Sequence, residues 1–261
     1  MMTMKRFTII ALAALAMVAC TPKKTSTLKE QYTTMDSLLS VNYQAAIEAE
    51  DTQAMETIYA QYVEKCYQLI KENLKDEWVD TLVAETWMQL EPAQKEELIP
   101  LLPKKVLEKE HIKQLIAQDE AERRTSAGCK YIDLGGAQPN GENLQLSELV
   151  GQTDYVLLDF WATWCGPCRR LLPKVKEIYD SMPQGRLEVL GISCDKDIEK
   201  WNTMIEEQNL NWRHINVGSG KENAAYDAYG VIGIPTTILI NRDGVIVARN
   251  ASEEELKEIL K

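Results

Sequence analysis

The chain is 261 residues long, with 45% hydrophobic residues and a formal net charge of −11 at pH 7. This length suits one or two globular domains with a sizeable core. Acidic residues outnumber basic ones in both halves of the chain. Because a nucleic-acid-binding surface needs a basic patch or stripe, the composition argues against nucleic acid as a partner.

Residues 1–20 have the pattern of an export signal. Two basic residues precede an apolar run from Phe7 to Val18, which is too short for a membrane span. The tetrapeptide Met17-Val18-Ala19-Cys20 resembles a lipoprotein cleavage box. We therefore predict that Cys20 is lipidated and anchors the mature protein to a membrane of the cell envelope, facing the periplasm, with residues 21–27 as a flexible tether. Simple secretion is the alternative.

Residues 28–125 have helical periodicity and few chemically active side chains. The apolar pattern predicts four helices, with breaks at prolines: Leu28 to Glu48, Thr52 to Leu74, Glu77 to Leu90 and Lys104 to Arg124. Cys66 lies on the predicted apolar face of the second helix, so we expect a buried thiol there. We interpret residues 28–125 as a helical domain in which no motif points to a catalytic or binding role.

Residues 126–261 alternate between β-rich and helical segments. The patterns first predict a hairpin of Lys130 to Leu134 with Leu144 to Leu146, followed by a helical turn capped by Ser147. Strands and helices are then expected to alternate: strand Tyr155 to Trp161, helix Cys165 to Asp180, strand Leu187 to Ser193, helix Asp197 to Gln208, strand Trp212 to Val217 and helix Glu222 to Tyr229. The chain is expected to end with a hairpin of Thr236 to Ile240 with Val245 to Arg249 and a final helix capped by Ser252.

Cys165 and Cys168 carry the strongest chemical signal. Their position after a β-rich run and before an amphipathic segment places both thiols at a strand-to-helix junction. Free N–H groups and the positive end of the helix dipole there lower the pKa of the first cysteine from about 8.5 toward about 7. A Cys-x-x-Cys pair can also belong to a zinc site or be a structural pair, so these alternatives stay open.

Two other features point to the same chemistry. Asp159 interrupts an apolar run that is predicted to be a buried strand, where an unpaired carboxylate is costly. Proton transfer to or from the second cysteine would account for this carboxylate. Downstream, Pro235 stands at the start of another β-rich run, and a proline in that position indicates a turn or a cis peptide bond.

These motifs resemble thioredoxin. The resemblance rests on four features: the WCGPC sequence at 164–168, an aspartate (Asp159) six residues before Cys165, a proline (Pro173) five residues after Cys168, and the downstream sequence Ile234-Pro235-Thr236. The longer layout from about residue 127 is similar to the envelope-anchored TlpA/ResA branch. The resemblance implies an α/β thioredoxin-like fold over residues 126–261, with a central mixed sheet flanked by helices, preceded by the mostly α-helical N-terminal domain.

The resemblance also implies roles for individual residues. Cys165 and Cys168 are expected to be the catalytic dithiol, Asp159 the buried acid, and Pro235 a cis residue packed against the disulfide. The residues expected to face the substrate are Trp164, Gly166, Pro167, Ile234 and Pro235. The implied reaction is dithiol-disulfide exchange, which needs no metal or organic cofactor.

Gly166-Pro167 is the dipeptide of reducing thioredoxins, and potentials in this fold range from about −270 to about −120 mV. We therefore expect a reductant of protein disulfides in the cell envelope, recharged by a membrane electron donor, as TlpA/ResA-like proteins are in cytochrome c maturation or thiol repair. One alternative is a disulfide oxidase or isomerase whose helical domain serves dimerisation or client binding. Another is a lipid-tethered binding module with incidental redox activity. A peroxiredoxin is disfavoured because the proline of its cysteine motif is absent.

Three other cysteines and two ring side chains remain. An odd number of thiols, Cys66, Cys129 and Cys194, is notable in an exported protein. Cys194 follows a predicted parallel strand, so it is expected at the sheet edge where the active site opens. It is either an auxiliary thiol, bonded to Cys129 or able to trap a substrate, or an unpaired half-buried thiol. Trp161 fits either a substrate-facing or a core position, and His214 fits a structural one.

Overall fold

The structure is a computed structural model that describes residues 26–218 and 224–261. The chain divides into two compact units, one ending at Leu115 and the other comprising Ile116–Lys261. The predicted signal segment, the lipidation of Cys20 and most of the predicted tether lie outside the described residues. Among the described helices, none combines the length and the apolar character that crossing a bilayer requires.

Helices make up the first unit. They are α1 (Leu28–Glu48), α2 (Thr52–Glu72), α3 (Val79–Thr86), α4 (Pro92–Leu98), a 3₁₀ turn (Ile99–Leu101), α5 (Lys104–Leu107) and the start of α6 (Glu110–Arg124). Helix α1 begins at a capping box in which Thr27 and Glu30 bind each other's backbone N–H. Cys66 is buried in α2, as predicted.

The break expected at Pro92 is confirmed, because the residue before it, Glu91, has an extended backbone. Helix α4, which begins at Pro92, was not predicted; a proline fits there because the first helical position needs no N–H donor. One prediction for this unit was wrong. The expected single helix from Lys104 to Arg124 is two helices, α5 and α6, separated at Glu108 and Lys109.

The second unit is built on a seven-stranded mixed sheet. Its strands are β1 (Gly135–Ala137), β2 (Asn143–Gln145), β3 (Tyr155–Trp161), β4 (Leu187–Ser193), β5 (Arg213–Asn216), β6 (Thr236–Asn241) and β7 (Ile246–Arg249), in the spatial order β2-β1-β5-β4-β3-β6-β7. Strands β3, β4 and β5 are parallel neighbours, and β6 pairs antiparallel with β3. The predicted parallel pairing of β3 with β4 is confirmed.

Helices α7 (Gly166–Ser181), α8 (Ile198–Glu207), α9 (Ala224–Ala228) and α10 (Glu253–Ile259) complete this unit. Ser252 caps α10 as predicted, with Glu255 closing a capping box. Glu222, the predicted start of α9, lies outside the described residues.

The lead-in to the sheet differs from its prediction. Residues 130–134 were expected to be the first hairpin strand, but the N–H of Tyr131 donates to the carbonyl of Gly244, and Lys130 bridges Val245. Because these backbone groups are already paired there, the hairpin with β2 forms further on, at 135–137. Ser147 was wrongly expected to cap the helical turn; Gln145 occupies the N-cap position instead.

Two apolar cores lie on opposite faces of the sheet, and β3 contributes to both. Val156, Leu158 and Phe160 belong to one core. Leu157 and Trp161 belong to the other, which also contains both Cys165 and Cys168. Since side chains alternate along a strand, Asp159 lies on the same face of β3 as the core that contains the cysteine pair.

Candidate active site

Cys165 and Cys168 are bonded to each other at the N-terminus of α7, with their sulfurs 2.04 Å apart. Cys165 is the N-cap residue, and its Sγ accepts a hydrogen bond from the backbone N–H of Cys168 at 3.1 Å. Gly166 and Pro167 form the start of the helix, where a proline displaces no intrahelical hydrogen bond. The predicted strand-to-helix placement is confirmed. The backbone donor and the helix dipole both favour negative charge on Cys165.

The Ile234-Pro235 peptide bond is cis, as the resemblance implied. This bond places the carbonyl oxygen of Ile234 3.5 Å from Sγ of Cys165. Ile234 therefore presents a backbone acceptor directly beside the reactive disulfide, and β6 begins immediately afterwards, at Thr236.

Asp159 is 1% exposed and lies in the middle of β3. Burial raises its pKa from 3.8 to about 7, because a low-dielectric surrounding disfavours the charged form. Its Oδ1 makes no hydrogen bond to any described residue. A carboxyl with a pKa near neutrality on the face of the cysteine pair can take up and return a proton at physiological pH.

The two tryptophans near the cysteines have different environments. Trp164, next to Cys165, is 64% exposed. Trp161 is fully buried, and its ring meets that of His214 edge-on with centroids 6.1 Å apart. His214 stacks on Trp212, and burial lowers its pKa to about 4, so it is a neutral ring in the core. Trp161 is thus a core residue, and His214 is structural, as expected.

Cys66, Cys129 and Cys194 are free thiols. The suggested bond between Cys129 and Cys194 is absent, so that interpretation was wrong. Cys194 follows the last residue of β4 and is half-buried, and burial raises its pKa. In the part of the chain that the structure describes, no three His, Cys, Asp or Glu side chains are grouped as metal ligands.

One buried acidic residue near the site was missed by the sequence reasoning. Asp195 is 2% exposed, and its carboxylate accepts hydrogen bonds from both the backbone N–H and the hydroxyl of Thr163, two residues before Cys165. The available signal was its position, directly after Cys194 at the end of a predicted parallel strand. Its carboxylate anchors the segment that leads into the cysteine pair.

Comparisons with known proteins agree with this geometry. A family model described as thioredoxin-like matches residues 152–246. The thiol-disulfide oxidoreductase ResA of Geobacillus thermodenitrificans is 30% identical over 140 residues, which cover 49% of this chain and 77% of that protein. ResA of Bacillus subtilis is 30% identical over 128 residues, covering 46% of this chain and 69% of that protein. The chain belongs to the ResA-like thiol-disulfide oxidoreductases.

A solved thiol-disulfide oxidoreductase from Bacteroides fragilis is 29% identical and covers 50% of this chain and 98% of its own length, with a TM-score of 0.45.

The residues matched by the thioredoxin-like model include Asp159, both bonded cysteines and Pro235. As a ResA-like oxidoreductase, the chain exchanges disulfides, and the alternatives of a zinc site or a purely structural cysteine pair are set aside.

Proposed function

We propose that this ResA-like chain reduces protein disulfides at the cell envelope, with Cys165 as the attacking thiolate and Cys168 as the resolving thiol. The observation that supports this order of attack is the hydrogen bond from the Cys168 N–H to Cys165 Sγ, which is 3.1 Å long. This donor and the positive end of α7 both act on the sulfur of Cys165, which lowers the free energy of its thiolate form. Cys168, inside the first helical turn, is the more enclosed of the two.

The exchange balances in two steps. The thiolate of Cys165 attacks one sulfur of a client disulfide, and the other client sulfur leaves as a thiolate and is protonated. Cys168 then loses its proton and attacks Cys165, which breaks the mixed disulfide and releases the second client thiolate. The client gains two electrons, and the chain ends in the Cys165–Cys168 disulfide form.

Asp159 is the proposed proton acceptor for the second step. Its pKa of about 7 leaves the carboxyl partly ionised at neutral pH, so it can accept the Cys168 proton without a large penalty. The burial that raises this pKa also keeps the proton away from bulk water. Asp159 then returns the proton when Cys168 is reduced again.

The proposed client-binding surface surrounds the sulfur of Cys165. The carbonyl of Ile234 supplies a backbone acceptor for an extended client segment, while Trp164 and Ile232 offer exposed apolar side chains. The cis proline, Pro235, also lines a cavity of about 210 Å³. The other apolar residues of its lining are Leu171, Val175 and Ile178 of α7, Leu256 of α10, and Ala251. Small-molecule sites usually measure about 300–1,000 Å³, so this volume fits a client side chain better than a cofactor.

The direction of electron flow is proposed from Gly166-Pro167, the dipeptide of reducing thioredoxins. A reductant that ends each cycle as a disulfide needs a dithiol donor, and in the envelope this donor is proposed to be a membrane protein. The proposed lipid on Cys20 would hold both partners at the same membrane, which raises their effective concentration.

The reductant role is tested by equilibrating the purified chain with glutathione buffers and by following insulin reduction. We expect a potential nearer about −270 mV than about −120 mV, and turnover of insulin disulfides. Cys165→Ser is the inactive control. A potential near that of strong oxidants would contradict a reductant and support the oxidase alternative, whereas absence of turnover by a folded chain would support the binding module.

The envelope location is tested separately by expressing the full chain and its Cys20→Ser variant in a bacterium that processes lipoproteins. We expect the parent in the membrane fraction, with a lipid-modified N-terminal peptide by mass spectrometry, and the variant in the soluble periplasmic fraction. Recovery of an unmodified parent from the soluble fraction would contradict lipid anchoring.

A further inference from the structure

Asp195 is a buried carboxylate that the exchange reaction itself does not use. It lies two residues after Ser193, the last residue of β4. In the sheet register, Ser193 is paired with Trp161 of β3 and Asn216 of β5. Asp195 therefore stands at the edge where three neighbouring strands end, which is also the edge from which the chain leaves β3 toward Cys165.

Both carboxylate oxygens of Asp195 are bound by neutral donors. The backbone N–H of Thr163 donates to Oδ2 at 2.9 Å and to Oδ1 at 3.2 Å, and the Thr163 hydroxyl donates to Oδ1 at 2.7 Å. The Ser193 hydroxyl donates to Oδ2 at 2.8 Å. Asn216 Nδ2 donates to the backbone carbonyl of Asp195 at 3.1 Å. These bonds offset the cost of burying a carboxylate and tie all three strand ends together.

Thr163 lies inside the turn that precedes the reactive cysteine. The N–H of Cys165 donates to the carbonyl of Ala162 at 3.1 Å, which closes a four-residue turn with Thr163 and Trp164 at its centre. The carboxylate of Asp195 accepts hydrogen bonds from both the backbone N–H and the hydroxyl of Thr163, a central residue of this turn. These bonds hold the backbone that connects β3 to the N-cap of α7.

We propose that Asp195 is a positioning residue for Cys165. Acting through Thr163, it fixes the turn of residues 162–165 and so holds the sulfur of Cys165 at the N-terminus of α7, beside its donor on Cys168. This inference rests on the proposed role of Cys165 as the attacking thiolate and is independent of the direction of electron flow.

The charge of Asp195 and its positioning role have opposite effects on Cys165. A nearby negative charge disfavours a thiolate, so removing the charge alone lowers the pKa of Cys165. Loss of the turn geometry moves the sulfur away from the backbone donor and the helix N-terminus, which raises that pKa. The direction of the change in an Asp195 variant therefore separates the two roles.

The experiment measures the rate at which iodoacetamide alkylates Cys165 as a function of pH in the reduced full chain, with the label assigned by peptide mass spectrometry. We expect Asp195→Ala to raise the pKa of Cys165 by about one unit and to slow its alkylation at pH 7 about fivefold, because the thiolate fraction falls from about one half to about one tenth. Thr163→Val keeps the charge of Asp195 but removes one donor, so it should shift the pKa in the same direction by less. Thr163→Ser should restore the parent profile.

Asp197→Ala is the matched control. Asp197 lies in the same loop, but its carboxylate binds the N–H of Lys200 and caps α8, so its loss should leave the pH profile of Cys165 unchanged. A lowered pKa in Asp195→Ala, or an unchanged profile in both Asp195→Ala and Thr163→Val, would overturn the proposal. If Asp195→Ala does not fold, the two Thr163 variants decide. A raised pKa of Cys165 in Thr163→Val, with the parent profile in Thr163→Ser, would support the proposal, and an unchanged profile in Thr163→Val would overturn it.

The parent chain separates a failure of this inference from a failure of the proposed function. Faster alkylation of Cys168 than of Cys165 in the parent would overturn the order of attack, and the positioning role with it. Faster alkylation of Cys165 in the parent, combined with parent-like variants, would overturn the positioning role alone.

Discussion

The backbone N–H of Cys168 donates to Sγ of Cys165 across 3.1 Å, so the two cysteines are chemically different although they share one disulfide. The sulfur of Cys165 receives a donor at the helix N-terminus, where a thiolate is stabilised. We therefore expect Cys168→Ser to accumulate mixed disulfides with client proteins through Cys165, since the second attack is blocked. Cys165→Ser should accumulate almost none.

Both variants are expressed in parallel, quenched with acid and compared by non-reducing electrophoresis and mass spectrometry. The double variant Cys165→Ser/Cys168→Ser is the control for disulfides formed by the other cysteines. Equal trapping by the two single variants would contradict the proposed order of attack.

The raised pKa of Asp159 predicts an unusual dependence of folding stability on pH. Its pKa is raised to about 7 in the folded chain from 3.8, so between these values the folded state binds more protons than the unfolded state. Stability then falls as the pH rises through this window, by at most about 4 kcal/mol. Asp159→Asn removes the titration. At each pH, the comparison is the free energy of unfolding of Asp159→Asn minus that of the parent. We expect this difference to be about 2–4 kcal/mol larger at pH 8 than at pH 4.

Urea denaturation of the parent and the variant at both pH values provides the measurement. Asp180→Asn is the control, because Asp180 is an exposed carboxylate in an ion pair with Lys176, whose contribution to stability is small. An Asp159→Asn variant whose stability difference from the parent is the same at pH 4 and pH 8 would refute the raised pKa.

The same carboxyl should matter for the second step of exchange. If Asp159 accepts the Cys168 proton, Asp159→Asn should slow the resolution of a preformed mixed disulfide by about a hundredfold at pH 7, while the first attack by Cys165 changes little. Stopped-flow mixing of the mixed-disulfide form can follow the release of a fluorescent client peptide. Equal resolution rates in the parent and the variant would assign the proton to another acceptor.

The sequence predicted local features of the site well because its signals are local. Strand β3, helix α7 and the buried position of Asp159 follow from apolar runs and from residues a few positions apart. The anchoring of Thr163 by Asp195 joins residues 32 positions apart and depends on the register of β3 with β4, which no local pattern encodes. The first hairpin was misplaced for the same reason, because the start of its expected strand, Lys130 and Tyr131, pairs with Val245 and Gly244 instead.

Trp161 and Trp164 offer a matched pair of substitutions. Trp164 is 64% exposed beside Cys165, so Trp164→Ala should change the free energy of unfolding by less than about 0.5 kcal/mol but raise KM for a disulfide-containing client. Trp161 is buried, so Trp161→Ala should lower the free energy of unfolding by about 3–5 kcal/mol. Denaturation curves and steady-state kinetics on each variant check both. A Trp164→Ala variant with an unchanged KM would remove this side chain from the client surface.

The five cysteines beyond residue 25 should react in a defined order. Burial raises the pKa of Cys66 to about 12 and also raises that of Cys194, so both remain thiols at pH 8 and are protected from reagent. In the reduced native chain, a pulse of iodoacetamide should label Cys165 first and leave Cys66 unlabelled until the chain is unfolded in urea. Unfolded protein is the control, because there the thiols should react at similar rates. Rapid native labelling of Cys66, or recovery of a Cys129–Cys194 disulfide peptide, would contradict the arrangement of free thiols described above.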